Sequence, residues 1–353
     1  MKGKLLFLAV ATGLLLPALL WAGDWGFKGS KPITLADHLQ HPQSAMNYME
    51  QWSGTVVFGK DHNLNFNLVH SNLTTSGDKA VFRVEYNTPD GNKLEDSKRC
   101  SIEQSSSPFK LSCGGNLITG SPEEMMVRFK SDKISLAMSI KAVAPAFRPG
   151  NGRLTHPKNG GDWYDFMLTI PRGKALAKLN DKVLKGYGSV DHSYTNAGVH
   201  KVAKHWIRTT YHDEKVSILF AANIADDKRT TGWMSVSTDT ASFSSADLNL
   251  ELADNWQDKD KGGYYAPATI RMSAPGGQYL KIENMRFNSR RDMLSDLSKV
   301  EQWVVRKFSD PMRYSFGGMV HIGWAGGDSP ALPPSTLPET VREVVVLTKQ
   351  MDK

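Results

Sequence analysis

Most of the chain alternates apolar and polar positions with a period of two. NLNFNLVH puts Leu64, Phe66 and Leu68 on one face, and KAVFRVEY, across a Ser76-Gly77-Asp78 turn, does the same with Phe82, Val84 and Tyr86. These two runs predict a hairpin with one apolar side. KISLAMSIK repeats the pattern through Ile134, Leu136, Met138 and Ile140, and YDFMLTI through Phe166, Leu168 and Ile170. Farther on, DLNLELAD groups Leu248, Leu250 and Leu252, while VSILFAAN, GWMSVS, ATIRMSA and QYLKIENMRF supply more strand patterns. So many short runs separated by Gly, Pro and Asn turns predict an all-β chain built of antiparallel barrels or sandwiches.

Helical spacing is confined to the edges. ITLADHLQH predicts a short leading helix near Leu35. RRDMLSDLSKVEQWVVRKF carries Met293, Leu297, Val300 and Val304 at helical spacing, although Trp303-Val304-Val305 also suits a strand. Toward the end, Thr336 and Pro338 precede Val341, Val344, Val345 and Leu347, a pattern that predicts a terminal helix packed on a barrel. The stretch from Ala142 to Asp162 is rich in Pro and Gly and has little periodicity, as in a functional lid or an unstructured connection.

Met1 to Gly23 has a basic start at Lys2 and Lys4, an apolar run from Leu5 to Leu20, and Ala22-Gly23 before the first acid, Asp24. This is the layout of a secretory signal, with a retained anchor as the alternative. An exported protein, periplasmic or secreted, is the expectation. The remaining chain of about 330 residues suggests two domains. Cleavage removes two lysines and no acid, which takes the formal charge from +7 to +5. That excess is spread along the chain rather than clustered, which argues against nucleic-acid binding and leaves solubility or loose contact with an anionic membrane surface. The only cysteines, Cys100 and Cys113, lie in strand-like runs around an SSSP turn. In an oxidising compartment they are expected to form a disulfide closing a short loop, and two cysteines alone are too few for a metal site.

One segment concentrates polar and titratable groups where two strand patterns meet. In KGYGSVDHSYT, Gly186 and Gly188 read as a turn leading to Asp191 and His192, and KHWIRTTY follows with Trp206 opening a new strand. With SGTVVFGKDHNLNFNLVHSNL in the first half, ending in Ser71 and Asn72, this order resembles the survival-factor/hydroxyneurosporene-synthase superfamily, which includes the carotenoid hydratases and AttH-like proteins. The resemblance covers most of the mature chain, and the central segment is its specific part.

The resemblance implies two lipocalin-like (calycin) antiparallel β-barrels with a few peripheral helices, here residues 24–185 and 186–353 behind a signal peptide of residues 1–23. It implies a monomer that binds a small hydrophobic metabolite or lipid without a cofactor. Phe66, Met138, Tyr187 and Trp206 are candidates for lining the ligand site, although inward apolar residues equally build a packed core. The alternative is a hydratase, isomerase or cyclase acting on a polyene or terpenoid. Asp191, the one position matching the acidic residue of hydratase members, would then be a general acid beside His192, since burial keeps a carboxyl protonated. Where those members follow the acid with Arg-Glu-Trp, this chain has His192-Ser193-Tyr194. Asp191 and His192 equally suit a structural role at the corner between the barrels. His200, His205 and His212 lack an acidic partner at ligand spacing, and no metal site is expected from them.

Overall fold

A computed structural model describes residues 25–59, 62–72, 79–107, 109–156, 158, 160–295, 299–306, 310–324 and 332–346. The signal-like stretch Met1–Gly23 and the Ser76-Gly77-Asp78 turn lie outside them. A 3₁₀ turn, Leu35–His38, leads into strands β1 (Met49–Gly59), β2 (His62–Ser71), β3 (Lys79–Asn87) and β4 (Lys93–Cys100). Five short strands follow: β5 (Ile102–Ser106), β6 (Phe109–Cys113), β7 (Asn116–Gly120), β8 (Glu124–Lys130) and β9 (Ser135–Ala142). The short β10 (Arg153–Thr155) precedes two long strands, β11 (Trp163–Leu179) and β12 (Lys182–Thr195). After helix α1 (Val199–Val202) come β13 (His205–His212), β14 (Ser217–Ile224), β15 (Thr230–Ser237), β16 (Ser242–Ser245) and β17 (Asn249–Gln257). The chain ends with β18 (Tyr265–Ser273), β19 (Tyr279–Asp292), helix α2 (Lys299–Arg306), β20 (Met312–Trp324) and β21 (Leu332–Val346).

Two curled antiparallel sheets result, the first a nearly closed barrel and the second a half-barrel. The first follows the order β4-β3-β2-β1-β12-β11-β9-β8-β7-β6-β5, with β10 added to β11; the second follows β16-β15-β14-β13-β21-β20-β19-β18-β17. β12 runs across the expected boundary at residues 185/186 and belongs to the first sheet, so the chain changes sheets between Thr195 and His205. The predicted terminal helix is instead strand β21, paired with both β13 and β20. Valines at 341, 344 and 345 fit either pattern, and here the open place between two strands decides, as β-branched residues allow.

Leu64, Phe66 and Leu68 face the first barrel's interior with Phe82, Val84, Ile134, Leu136, Met138 and Ile140. Phe166 and Leu168 do not share that face with Ile170. The register of β11 against β12 shifts between Leu168 and Ile170, and the extra residue reverses the parity of the strand. Ile170 therefore joins the first core, whereas Phe166 and Leu168 join a separate apolar cluster with Phe27, Leu219 and Trp233. β11 is buried continuously from Asp165 to Gly173, and β12 from Gly188 to Ser193. Both strands have a core on each side there. Gly186 and Gly188 lie inside β12 rather than in a turn, because β1 crosses close beside them; a Cβ at residue 188 would stand 2.4 Å from the Thr55 carbonyl oxygen.

Two covalent or charged fastenings hold the sheets in shape. Cys100 at the end of β4 is bonded to Cys113 on β6, with a Cα–Cα distance of 5.2 Å. Since β4 and β5 are the two ends of the sheet path and β6 pairs with β5, the bond clasps the barrel's edges together. Arg172, fully buried on β11, reaches across to the second sheet. Its Nη1 donates to the Asp213 carbonyl at 3.0 Å and Ser217 Oγ at 3.1 Å, and Nη2 donates to the Glu214 carbonyl at 3.0 Å. Nε and Nη2 both donate to Asp239 Oδ1, and the guanidinium lies 4.1 Å from the centre of the Tyr187 ring. Every donor of the fork is used, which is what makes a buried guanidinium tolerable.

Two outcomes are expected. Replacing Cys100 and Cys113 with serine should lower unfolding free energy by about 3 kcal/mol, read as a shift in the urea midpoint, with hydrogen exchange accelerated first in β4 to β6. Arg172→Met should cost about 2–4 kcal/mol, because it strands the carbonyls and hydroxyl that the fork satisfies. Calorimetry of that variant should resolve separate transitions for the two barrels.

Candidate functional site

Asp191 and His192 are neighbours on β12, so strand alternation sends them to opposite sides of the shared wall. Asp191 points toward the second sheet. Its Oδ1 accepts from Ser53 Oγ at 2.7 Å and its Oδ2 from Arg208 Nη2 on β13. The pair spans the two sheets and occupies both carboxylate oxygens. Held this way, the carboxylate accepts a hydrogen bond at each oxygen.

His192 points into the first barrel, where Trp52 stacks on it with ring centres 4.7 Å apart. Its Nδ1 donates to the Asp37 carbonyl and its Nε2 meets Glu50 Oε1, both at 2.8 Å. Glu50 also accepts from the His41 backbone N–H at 3.0 Å, from His41 Nδ1 at 3.1 Å and from the Tyr48 hydroxyl. Burial by itself would raise the Glu50 pKa; hydrogen bonds from His192, His41 and Tyr48 overcome it and hold the carboxyl at about 2. Asp37, also buried, is kept below the usual carboxylate range by Arg148 and Thr34 against the opposing effect of burial. Arg148 comes from the Pro/Gly-rich stretch, which is tied down by β10 and by Phe147 bridging to Leu168. Together with the Trp52 Nε1 bond of 2.9 Å to the His38 carbonyl, these contacts seat residues 37–41 as a cap on one mouth of the barrel.

On the other side of the wall is a cavity of about 150 Å³ between the two sheets. Phe27, Tyr164, Phe166, Trp206 and Trp233 form its aromatic walls, Ile207, Ala221 and Val345 complete the apolar lining, and Arg208 and Asn223 supply the polar groups. Asn223 is 1% exposed, and its amide nitrogen has no hydrogen-bond partner in the protein. A buried donor without a partner is uncommon, and Asn223 is among the residues that line the cavity. Tyr164 is half-buried; burial of its phenol, opposed by a hydrogen bond with Ser193, pushes it up to about 12. It stays protonated at neutral pH.

Of the candidates from sequence, Trp206 lines this cavity and Asp191 stands behind it through Arg208. His192 is on the far side of the wall, Tyr187 lies under Arg172, and Phe66 and Met138 are in the first core. The structure does not assemble these six into one site. Sequence reasoning missed Tyr164, Phe166, Arg208, Asn223 and Trp233. For all of these but Arg208, the signal was the near-continuous apolar character of YDFMLTI, SILFAAN and GWMSV, since a strand buried on both faces has no polar alternation. His205 and His212 are buried on β13, where burial pushes them down to about 4 and about 3. His212 lies between the hydroxyls of Ser217 and Ser189, at 2.7 and 3.1 Å.

No protein-family model and no curated protein matches the sequence. Solved structures do match the fold. CghA in complex with Sch210972 superposes with a TM-score of 0.54 at 9% identity, over 87% of this chain and 90% of that one. A protein described as an AttH from Nitrosomonas europaea gives 0.50 at 9% identity, over 86% and 93%. Kievitone hydratase from Nectria haematococca gives 0.47 at 12% identity, over 92% and 98%. The likeness is one of fold: this chain shares the lipocalin-like architecture of two curled antiparallel sheets with CghA and the AttH protein.

Proposed function

We propose that this chain binds a small, largely apolar molecule bearing a hydrogen-bond acceptor, in the cavity between its two sheets. The orphaned amide nitrogen of buried Asn223, set among aromatic walls, carries this reading. An apolar pocket with a few convergent polar groups is the common form of a small-molecule site. Arg208 provides a second donor beside Asn223, so a carbonyl, carboxylate or hydroxyl of the ligand would be received there while rings or alkyl chains lie against Trp206, Trp233 and Phe166. That CghA, with the same fold, has a structure holding Sch210972 supports a molecule of organic-metabolite size. The volume fits a small ligand or one end of a longer one.

Export to an oxidising compartment belongs to the same proposal. The disulfide supports it, as does the signal-like order of residues 1–23, and among the described residues no helix is long and apolar enough to cross a membrane. The protein would act there as a monomeric carrier. Catalysis is the second reading, and Tyr164 favours it, since a protonated phenol on the cavity wall could deliver a proton to a bound alkene or carbonyl. Asp191 serves that chemistry only indirectly, by fixing Arg208.

An apolar fluorescent probe should bind saturably to the purified full chain and be displaced by extracted lipid or metabolite. Trp206→Ala should weaken binding by about 2 kcal/mol. Asn223→Ala should weaken acceptor-bearing ligands about tenfold while changing thermal stability little, since that nitrogen has no protein partner to lose. Absence of any saturable binding would refute the proposal. Asp191→Asn should lower stability by roughly 1–3 kcal/mol, the cost of weakening a buried charged acceptor. A variant that keeps full stability and loses turnover of a polyene or terpenoid would make the chain an enzyme with Asp191 as its acid.

A further inference from the structure

We propose that His41, Glu50 and His192 form a binding site for a divalent transition-metal ion, zinc above all, at the capped mouth of the first barrel. The three side chains come from the cap, β1 and β12, and one donor atom from each lies within 4.8 Å of the other two. Two imidazole nitrogens converge on a single carboxylate oxygen, with His192 Nε2 at 2.8 Å and His41 Nδ1 at 3.1 Å from Glu50 Oε1. A bare imidazole lone pair facing a carboxylate oxygen at that distance is repelled, so each contact needs a positive centre between the atoms. Either a proton on each ring or one shared metal ion supplies it.

Three further features favour the ion. His192 gives its other ring hydrogen to the Asp37 carbonyl at 2.8 Å, the outer contact that fixes tautomer and orientation in metal-bound histidines. The Tyr48 hydroxyl holds the far oxygen, Oε2, which leaves Oε1 turned toward both rings. Glu50 and His192 are buried, whereas the His41 side chain is 25% exposed, which gives an ion a way in. Nitrogen and oxygen ligands about 2.1 Å from a tetrahedral zinc stand about 3.4 Å apart, so the contacts to Oε1 of 2.8 and 3.1 Å would each have to lengthen by well under an ångström. Bound there, the ion would fasten the cap to two barrel strands, and any proton on a ligating nitrogen would be released to solvent or moved to the ring's other nitrogen.

The test uses the full chain, stripped with a chelator and titrated with Co(II) followed by visible absorption, then with Zn(II). One equivalent of Co(II) should bind with the spectrum of a low-coordinate nitrogen–oxygen site, Zn(II) should displace it, and Zn(II) should raise the thermal midpoint. His41→Phe keeps a ring to stack on Tyr194, whose centre lies 4.3 Å away, yet removes a ligand. It should weaken both ions by roughly 100-fold or more, whereas His156→Ala should leave them unchanged. If His41→Phe fails to fold by near-ultraviolet circular dichroism, Glu50→Gln takes its place with the same expectation. A wild-type chain that takes up neither ion at tens of micromolar, or a folded ligand variant with wild-type affinity, would overturn the proposal and leave the cluster as a protonated hydrogen-bond network.

Discussion

The structure depends on one demand: β11 and β12 must be buried on both faces at once. A strand with a core on each side has no solvent face for polar groups, so any polar residue there needs a partner across the wall. Asp191 finds Ser53 and Arg208, Arg172 finds the β13–β14 and β15–β16 loops, and Ser189 finds His212. All of these contacts but the one to Ser53 run between the sheets. The polar residues of the wall therefore fix how the second sheet sits on the first, and apolar burial supplies the adhesion. The cavity is the part of that junction where the aromatic walls leave space.

The bulge at Thr169 lets one strand meet this demand. Without it, alternation would commit Phe166, Leu168 and Ile170 to a single side. With it, the first half of β11 furnishes the junction and the second half furnishes the first barrel. Before the bulge Phe166 lines the cavity, whereas after it Ile170 packs in the first barrel, with Arg172 alone still reaching the second sheet among the residues named here. The cap is held by a separate device, a buried carboxylate surrounded by donors, whose geometry accepts either protons or an ion.

Strand content and the inward faces of β2, β3 and β9 were legible in the sequence because period-two alternation follows directly from a sheet with one buried face. The pairing of Cys100 with Cys113 was legible too, although its location was not: the bond joins barrel edges rather than a simple hairpin. Parity in β11 was lost to the bulge, which leaves no compositional trace. β21 was taken for a helix because Thr-Pro and spaced valines suit both structures and only the vacancy between β13 and β20 selects one. At the site, Trp206 was legible as an aromatic opening a strand. Glu50 and His41 were not, because their partner His192 is more than a hundred residues away and no local spacing announces the meeting. Asn223 looks like an ordinary strand-end amide until its nitrogen is found without a partner.

The clasp between Cys100 and Cys113 has a bearing on the chain before it is mature. A sheet that is nearly closed still has two edge strands, and β4 and β5 carry unpaired backbone groups able to recruit another chain. Holding those edges against each other hides them from intermolecular pairing. Reduced protein would thus be more exposed to self-association during folding, and oxidation would act as the step that shuts a sticky open sheet.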